Sequence, residues 1–145
     1  MVVIIALLNY IFVLLTLFLA IIDYFTMRLP DKLTISLVGV GLLHSGLMGS
    51  HILIQNGLAA LVIGGLFFFI ALVYPRGMGM GDVKYVTALA LFLGFFAVIV
   101  TLTLATVLAI LIGGIILAMK KKTIKDQIPF GPFLTIGAWL AMIIF

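Results

Sequence analysis

From Val2 to Ile22 every position except Asn9, Tyr10 and Thr16 is apolar. A bilayer-spanning helix needs about 20 such residues, so this run predicts a first span. A polar connection follows, from Asp23 to Lys32, and its Pro30 opposes one helix running through. Leu33–Gly49 reads as a second span. Ser50–Asn56 is polar but lacks Lys and Arg, and reads as a connection. Gly57–Tyr74 is the third span, with a Gly64-Gly65 pair suited to close helix packing. The loop Pro75-Arg-Gly-Met-Gly-Met-Gly-Asp-Val-Lys84 comes next.

Tyr85–Met119 is a stretch of 35 residues without a charge. As one helix it would be about 50 Å long, far beyond a hydrocarbon core of about 30 Å. Two short helices turning near Gly94-Phe95-Phe96 are predicted instead. Lys120-Lys121-Lys122 and Lys125-Asp126 form a basic connection, and Pro129–Phe145 is the last apolar segment.

Composition turns this pattern into a statement about solvent. The chain is 66% hydrophobic and 8% charged, with a mean hydropathy of +1.51. Soluble domains carry about 25% charged residues. A chain of this length cannot hide so much apolar surface from water, so its solvent is lipid. The expected fold is all-α, a bundle of six transmembrane helices forming a single membrane-embedded domain over residues 1–145. No internal repeat or linker divides it. The first run lacks a basic flank and a clear small-residue cleavage site, and is expected to be a retained helix.

Charge fixes the orientation. The net charge is +4, but the basic residues sit at the ends of apolar runs, so nucleic acid is not implied. With six spans, all eight Lys and Arg fall on one side. The positive-inside rule makes that side cytoplasmic and puts both termini outside. A five-span arrangement would place the lysine cluster opposite Arg76. The lysines are also suited to anionic lipid headgroups.

Candidate chemistry is narrowed by what is missing. The chain has no cysteine, which removes thiolate ligands and a cysteine nucleophile. It has no glutamate either, so its side-chain carboxylates are Asp23, Asp31, Asp82 and Asp126. Asp126 lies among lysines and reads as an interfacial charge. Asp31, after Pro30, reads as the N-cap of the second helix. Asp23 closes an apolar helix, where a carboxylate is costly unless it meets a polar cavity or partner; a helix-end residue snorkelling to the interface, with Arg28 as a partner, is the plainer alternative. Asp82 follows Gly77-Met-Gly-Met-Gly81, whose glycines permit positive φ and close backbone approach. A simple N-cap competes there, whereas a nucleotide loop lacks its Lys-Ser/Thr ending. His44 and His51 fall near the opposite membrane face and do not form a metal set. Met78 and Met80 read as packing residues.

Two spans separate the loops of Asp23 and Asp82, so both face the cytoplasm. Two carboxylates close together in a poorly solvated site do not readily ionise together; one keeps a proton while the other acts as base. That is the requirement of aspartyl proteolysis, which needs no cofactor and no metal.

At this point the residues resemble a known family. Gly79-Met-Gly-Asp-Val-Lys84 is similar to the GxGD signature of the bacterial type IV prepilin peptidases. Asp23 followed by Arg28-Leu-Pro30-Asp31 resembles their first motif. Ile128-Pro129-Phe-Gly131-Pro132-Phe133, with Gly137, resembles their C-terminal proline–glycine segment. This last match favours the bacterial branch over archaeal preflagellin peptidases.

The resemblance implies a multi-pass enzyme of the inner (cytoplasmic) membrane. Such an enzyme cuts the basic leader from type IV prepilin or pseudopilin precursors, after a Gly, at the cytoplasmic face. It implies Asp23 and Asp82 as the catalytic pair. Pro30, Asp31, Gly79, Gly81, Lys84, Pro129, Gly131 and Pro132 carry over only as motif residues in structural support. Longer members have a cytoplasmic insert with paired cysteines, associated with N-methylation of the new amino terminus. Here the first span runs straight into the Asp23 connection and cysteine is absent, so the resemblance implies the peptidase without that zinc-binding insert. Two rival classes use similar residues: a small proton-coupled transporter, and a non-catalytic subunit of a pilus or secretion machine. Cleavage of a co-expressed prepilin separates them.

Overall fold

The computed structural model describes residues 1–120 and 128–145. The expected basic connection at Lys121, Lys122, Lys125 and Asp126 lies outside the described residues. Six helices form: α1 (Val2–Thr26), α2 (Asp31–Met48), α3 (Ser50–Val73), α4 (Met80–Leu93), α5 (Phe95–Ala118) and α6 (Gly131–Ile144). The fold is all-α among the described residues, as expected. Three helices, α1, α3 and α5, are long and apolar enough to cross a membrane. At 14 residues each, α4 and α6 are about 21 Å long, shorter than α1, α3 and α5.

The turn expected near Gly94 is there. Gly94 has φ 87 and separates α4 from α5, a backbone conformation that glycine adopts without steric cost. Two other boundaries differ from expectation. Ser50–Asn56 is not a connection but the first turns of α3. Its polar residues suggest solvent, yet Asn56 is buried and satisfied. The Asn56 side-chain amide donates to Ser45 Oγ at 2.8 Å and to the Leu91 carbonyl at 3.0 Å, and the Ser45 hydroxyl donates to the same carbonyl at 2.6 Å. The loop expected to reach Lys84 is also shorter, because its last residues wind into α4 from Met80.

The packing is a ring around one helix. The ring runs α1–α2–α3–α5–α6 and back to α1, and α4 packs inside it against α2, α3, α5 and α6. Most of α4 is buried, including Tyr85, Val86, Leu89 and Phe92. Phe92 is stacked between Phe12 of α1, at 3.9 Å between ring centroids, and His44 of α2, at 4.2 Å.

The ring is built inside out relative to a soluble bundle. Helix α3 turns Ala59, Ala60 and Gly64 inward while Leu61, Leu66 and Phe69 stay exposed. Small residues let membrane helices approach closely, and the large ones face lipid. Gly64 lies so close to Thr87 of α4 that any side chain there would collide with its hydroxyl, whereas Gly65 faces open space. Close packing therefore uses one glycine of the pair.

The Asn56 cluster ties α2, α3 and α4 together at the end of the bundle occupied by Gly94. Its removal by Asn56→Leu is expected to lower stability by about 1 kcal/mol, in the range of polar contacts between membrane helices. Unfolding in mixed detergent micelles measures this. The opposite end of the bundle, where the aspartates lie, is expected to be unaffected.

Candidate active site

Asp23 lies in the last turns of α1, not beyond it, because the helix continues to Thr26. It is buried, at 5% relative exposure. Its burial is compensated by a partner far along the chain. The Gly131 N–H donates to Asp23 Oδ2 at 2.8 Å. Gly131 is the first residue of α6, where backbone N–H groups have no intrahelical acceptor and the helix dipole favours an anion. The alternative pairing of Asp23 with Arg28 is not seen; among the described residues the one ion pair is between Lys84 and Asp31.

The approach of Gly131 to Asp23 leaves no room for a side chain. A Cβ at position 131 would stand 2.5 Å from Asp23 Oδ2 and 3.0 Å from its Cγ. Pro132, in the first turn of α6, sits where a missing N–H costs no helix hydrogen bond.

Asp82 sits in the first turn of α4. It is not the N-cap, which is Gly79, at φ −78. None of Gly77, Gly79 and Gly81 has positive φ, contrary to one use expected of them. Close approach is what they supply. A side chain at Gly77 would run into the Tyr74 ring, and a Cβ at Gly81 would be 3.2 Å from Leu29 Cβ.

The two carboxylates border the same space. Both line a cavity of about 350 Å³ with Arg76, Gly79, Pro129 and Phe130. Both also line an adjoining cavity of about 360 Å³ with Arg28, Asp31, Gly81 and Lys84. Met78 lines the first and Met80 the second, so these methionines border the site as well as packing.

A sequence model of the type IV leader peptidase family matches residues 10–117. The chain belongs to that family. The prepilin leader peptidase/N-methyltransferase of Aeromonas salmonicida (strain A449) is 33% identical over 128 residues, covering 84% of this chain and 44% of the relative. The protein of the same description from Stutzerimonas stutzeri is 31% identical over 121 residues, covering 79% and 42%. That from Legionella pneumophila is 33% identical over 122 residues, again 79% and 42%. The chain thus spans less than half the length of these relatives. No solved structure matches it significantly.

As a leader peptidase family member with three apolar helices of spanning length, the chain is a membrane protein. The motif residues expected from the resemblance include two sets beside the cavities. Gly79, Gly81, Pro129 and Gly131 border or hold the aspartates. Asp31 and Lys84 form a pair at the rim, with Lys84 Nζ donating to Asp31 Oδ1 at 2.8 Å. This corrects Asp31 as an N-cap. Pro30 holds the N-cap position, no side-chain cap forms, and Asp31 is the first helical residue. With side chains about half exposed or more, 48% and 63%, such a pair contributes less than about 1 kcal/mol. It braces α2 against α4 beside the cavity.

Among the described residues no three of His, Cys, Asp and Glu cluster as a metal set. His44 is half-buried against Phe92, its buried Nδ1 without a hydrogen-bond partner.

Sequence reading did not single out Tyr85, Thr135 and Thr16. They form a buried polar link between α4, α6 and α1. The available signal was positional: Tyr85 follows Asp82 by one turn, and Thr135 follows Gly131 by one turn.

Proposed function

We propose that this chain is an aspartic endopeptidase, acting on type IV prepilin or pseudopilin precursors at the cytoplasmic face of the inner (cytoplasmic) membrane. It removes the basic leader after a Gly, and residues 1–145 act as one peptidase unit with both termini outside. The observation that carries this reading is that Asp23 and Asp82, from separate helices, line one cavity. The names of its relatives support the substrate class.

In this mechanism the ionised carboxylate takes a proton from a water held between the pair. The protonated carboxyl donates to the scissile carbonyl as the water oxygen attacks. Collapse of the tetrahedral intermediate breaks the C–N bond and passes a proton to the leaving amine. The two acids titrate as a coupled pair. The basic residues near the cavity mouths, Arg28, Arg76 and Lys84, suit a cytoplasmic orientation. A proton-conducting role is disfavoured because Asp23, Asp31 and Asp82 all gather at one end of the bundle.

The test is reconstitution of the chain in lipid with a purified prepilin. Mass spectrometry should show a new amino terminus directly after the leader Gly. An intact precursor, in the presence of folded protein, would overturn the assignment.

A further inference from the structure

The helices carrying Asp23 and Asp82 do not pack backbone to backbone. Helices α1 and α4 make no close main-chain approach and are held apart by side chains, with α2 and α6 completing the enclosure. Towards Gly94 the interval is filled by the stacked rings of Phe12 and Phe92. Nearer the aspartates, hydrogen bonds link α4 to α1 by way of α6.

Tyr85, fully buried on α4, brings its hydroxyl to 2.6 Å from Thr135 Oγ1 on α6. The Thr135 hydroxyl lies 3.3 Å from the Thr16 carbonyl on α1 and 3.0 Å from the Gly131 carbonyl. Thr135 has one proton to donate, so the Tyr85 hydroxyl is the donor between the two when Thr135 serves either carbonyl. The Trp139 indole N–H donates to Thr16 Oγ1 at 2.9 Å and locks the α1 end. One end of this path is a turn from Asp82. The other reaches Gly131, whose N–H holds Asp23.

We propose that Tyr85, Thr135 and Thr16 form a spacer that sets the interval between the two aspartates. Tyr85 and Thr135 are positioning residues and do not touch substrate. An ordinary buried polar contact would add stability alone. This path joins the three helices that contribute Asp82, Gly131 and Asp23, so its loss changes the relation between the carboxylates. The kinetic consequence rests on the peptidase reading; the geometric one does not.

The geometric test uses the absence of native cysteine. In full-length Asp23→Cys/Asp82→Cys protein, thiol cross-linkers of graded length report the interval. Adding Tyr85→Phe, which removes one hydroxyl at nearly constant volume, is expected to move the length of maximal yield. An unchanged profile overturns the spacer whatever the rates do. In the chain with both aspartates, Tyr85→Phe and Thr135→Val are expected to lower kcat by about 10- to 100-fold through misplacement. KM is expected to change little, and the limbs of the pH–kcat profile to move. Thr135→Ser, which keeps the hydroxyl, should restore the rate. Wild-type kcat in both variants, or a loss that merely tracks the unfolded fraction, also overturns it. If the unsubstituted chain fails to cleave prepilin, the peptidase reading fails and the cross-linking result still decides the spacer.

Discussion

Asp23→Asn and Asp82→Asn are each expected to lower prepilin cleavage by about 10²- to 10⁴-fold, the scale of lost acid–base catalysis. Asparagine keeps the size of the side chain and can still accept a bond from the Gly131 N–H. What it cannot do is take a proton from water or hold one between two carboxylates. On the peptidase reading each half of the pair depends on the other, so the double substitution should be little worse than either single one. Relief of a costly buried carboxylate should leave the Asp23 variant folded, so protein level provides the control. Processing assayed at matched protein amounts decides the matter: normal cleavage by both single variants would remove the aspartates from the mechanism. Asp31→Asn, at the exposed rim, is expected to leave cleavage nearly unchanged, because its pair with Lys84 is solvated.

The second large effect should come from the mildest possible change. Gly131→Ala adds one carbon, which would stand 2.5 Å from Asp23 Oδ2. Ordinary contact requires more, so Asp23 or the start of α6 has to move. Alanine is a good helix former, and α6 itself is expected to persist. A shift of about 1 Å at a catalytic group is enough to cost about 100-fold in rate. The expected signature is a fall in kcat with KM nearly constant and no loss of folded protein. Gly137→Ala serves as a comparison. Its Cβ would approach the Thr101 carbonyl at 2.5 Å, so it should disturb α5–α6 packing and appear first as reduced thermal stability. If Gly131→Ala matches the wild type in kcat, the amide of Gly131 does not position Asp23 in the working enzyme.

Much of the fold was readable because lipid leaves few options. Long uncharged runs had to be helices, and a 35-residue run had to break, with Gly94 the residue best suited to do it. Asp23 and Asp82 stood out because so few carboxylates exist to choose from. The remainder depends on contacts distant in sequence. Ser50–Asn56 reads as a connection because the segment is polar, but the acceptors of Asn56 are Ser45 and Leu91, 11 and 35 residues away. Asp31 had the right neighbours for an N-cap, yet its partner is Lys84, 53 residues on. The Gly131 motif was visible as a pattern of glycine and proline, without any hint that its N–H meets Asp23. Local sequence rules describe caps and turns well; they do not report which helix end will be folded against which carboxylate.

The hydrogen bond between Gly131 and Asp23 joins residues 108 apart, and this has a consequence for biosynthesis. The ribosome delivers both aspartates long before it delivers the amide that holds the first of them. Until α6 enters the membrane, α4 lacks one wall of its enclosure and Asp23 has no Gly131 partner. On the peptidase reading, a chain translated only as far as α5 is expected to be inactive, because the amide that holds Asp23 arrives with α6, after α1 to α5 have already been exposed to their neighbours in the bilayer.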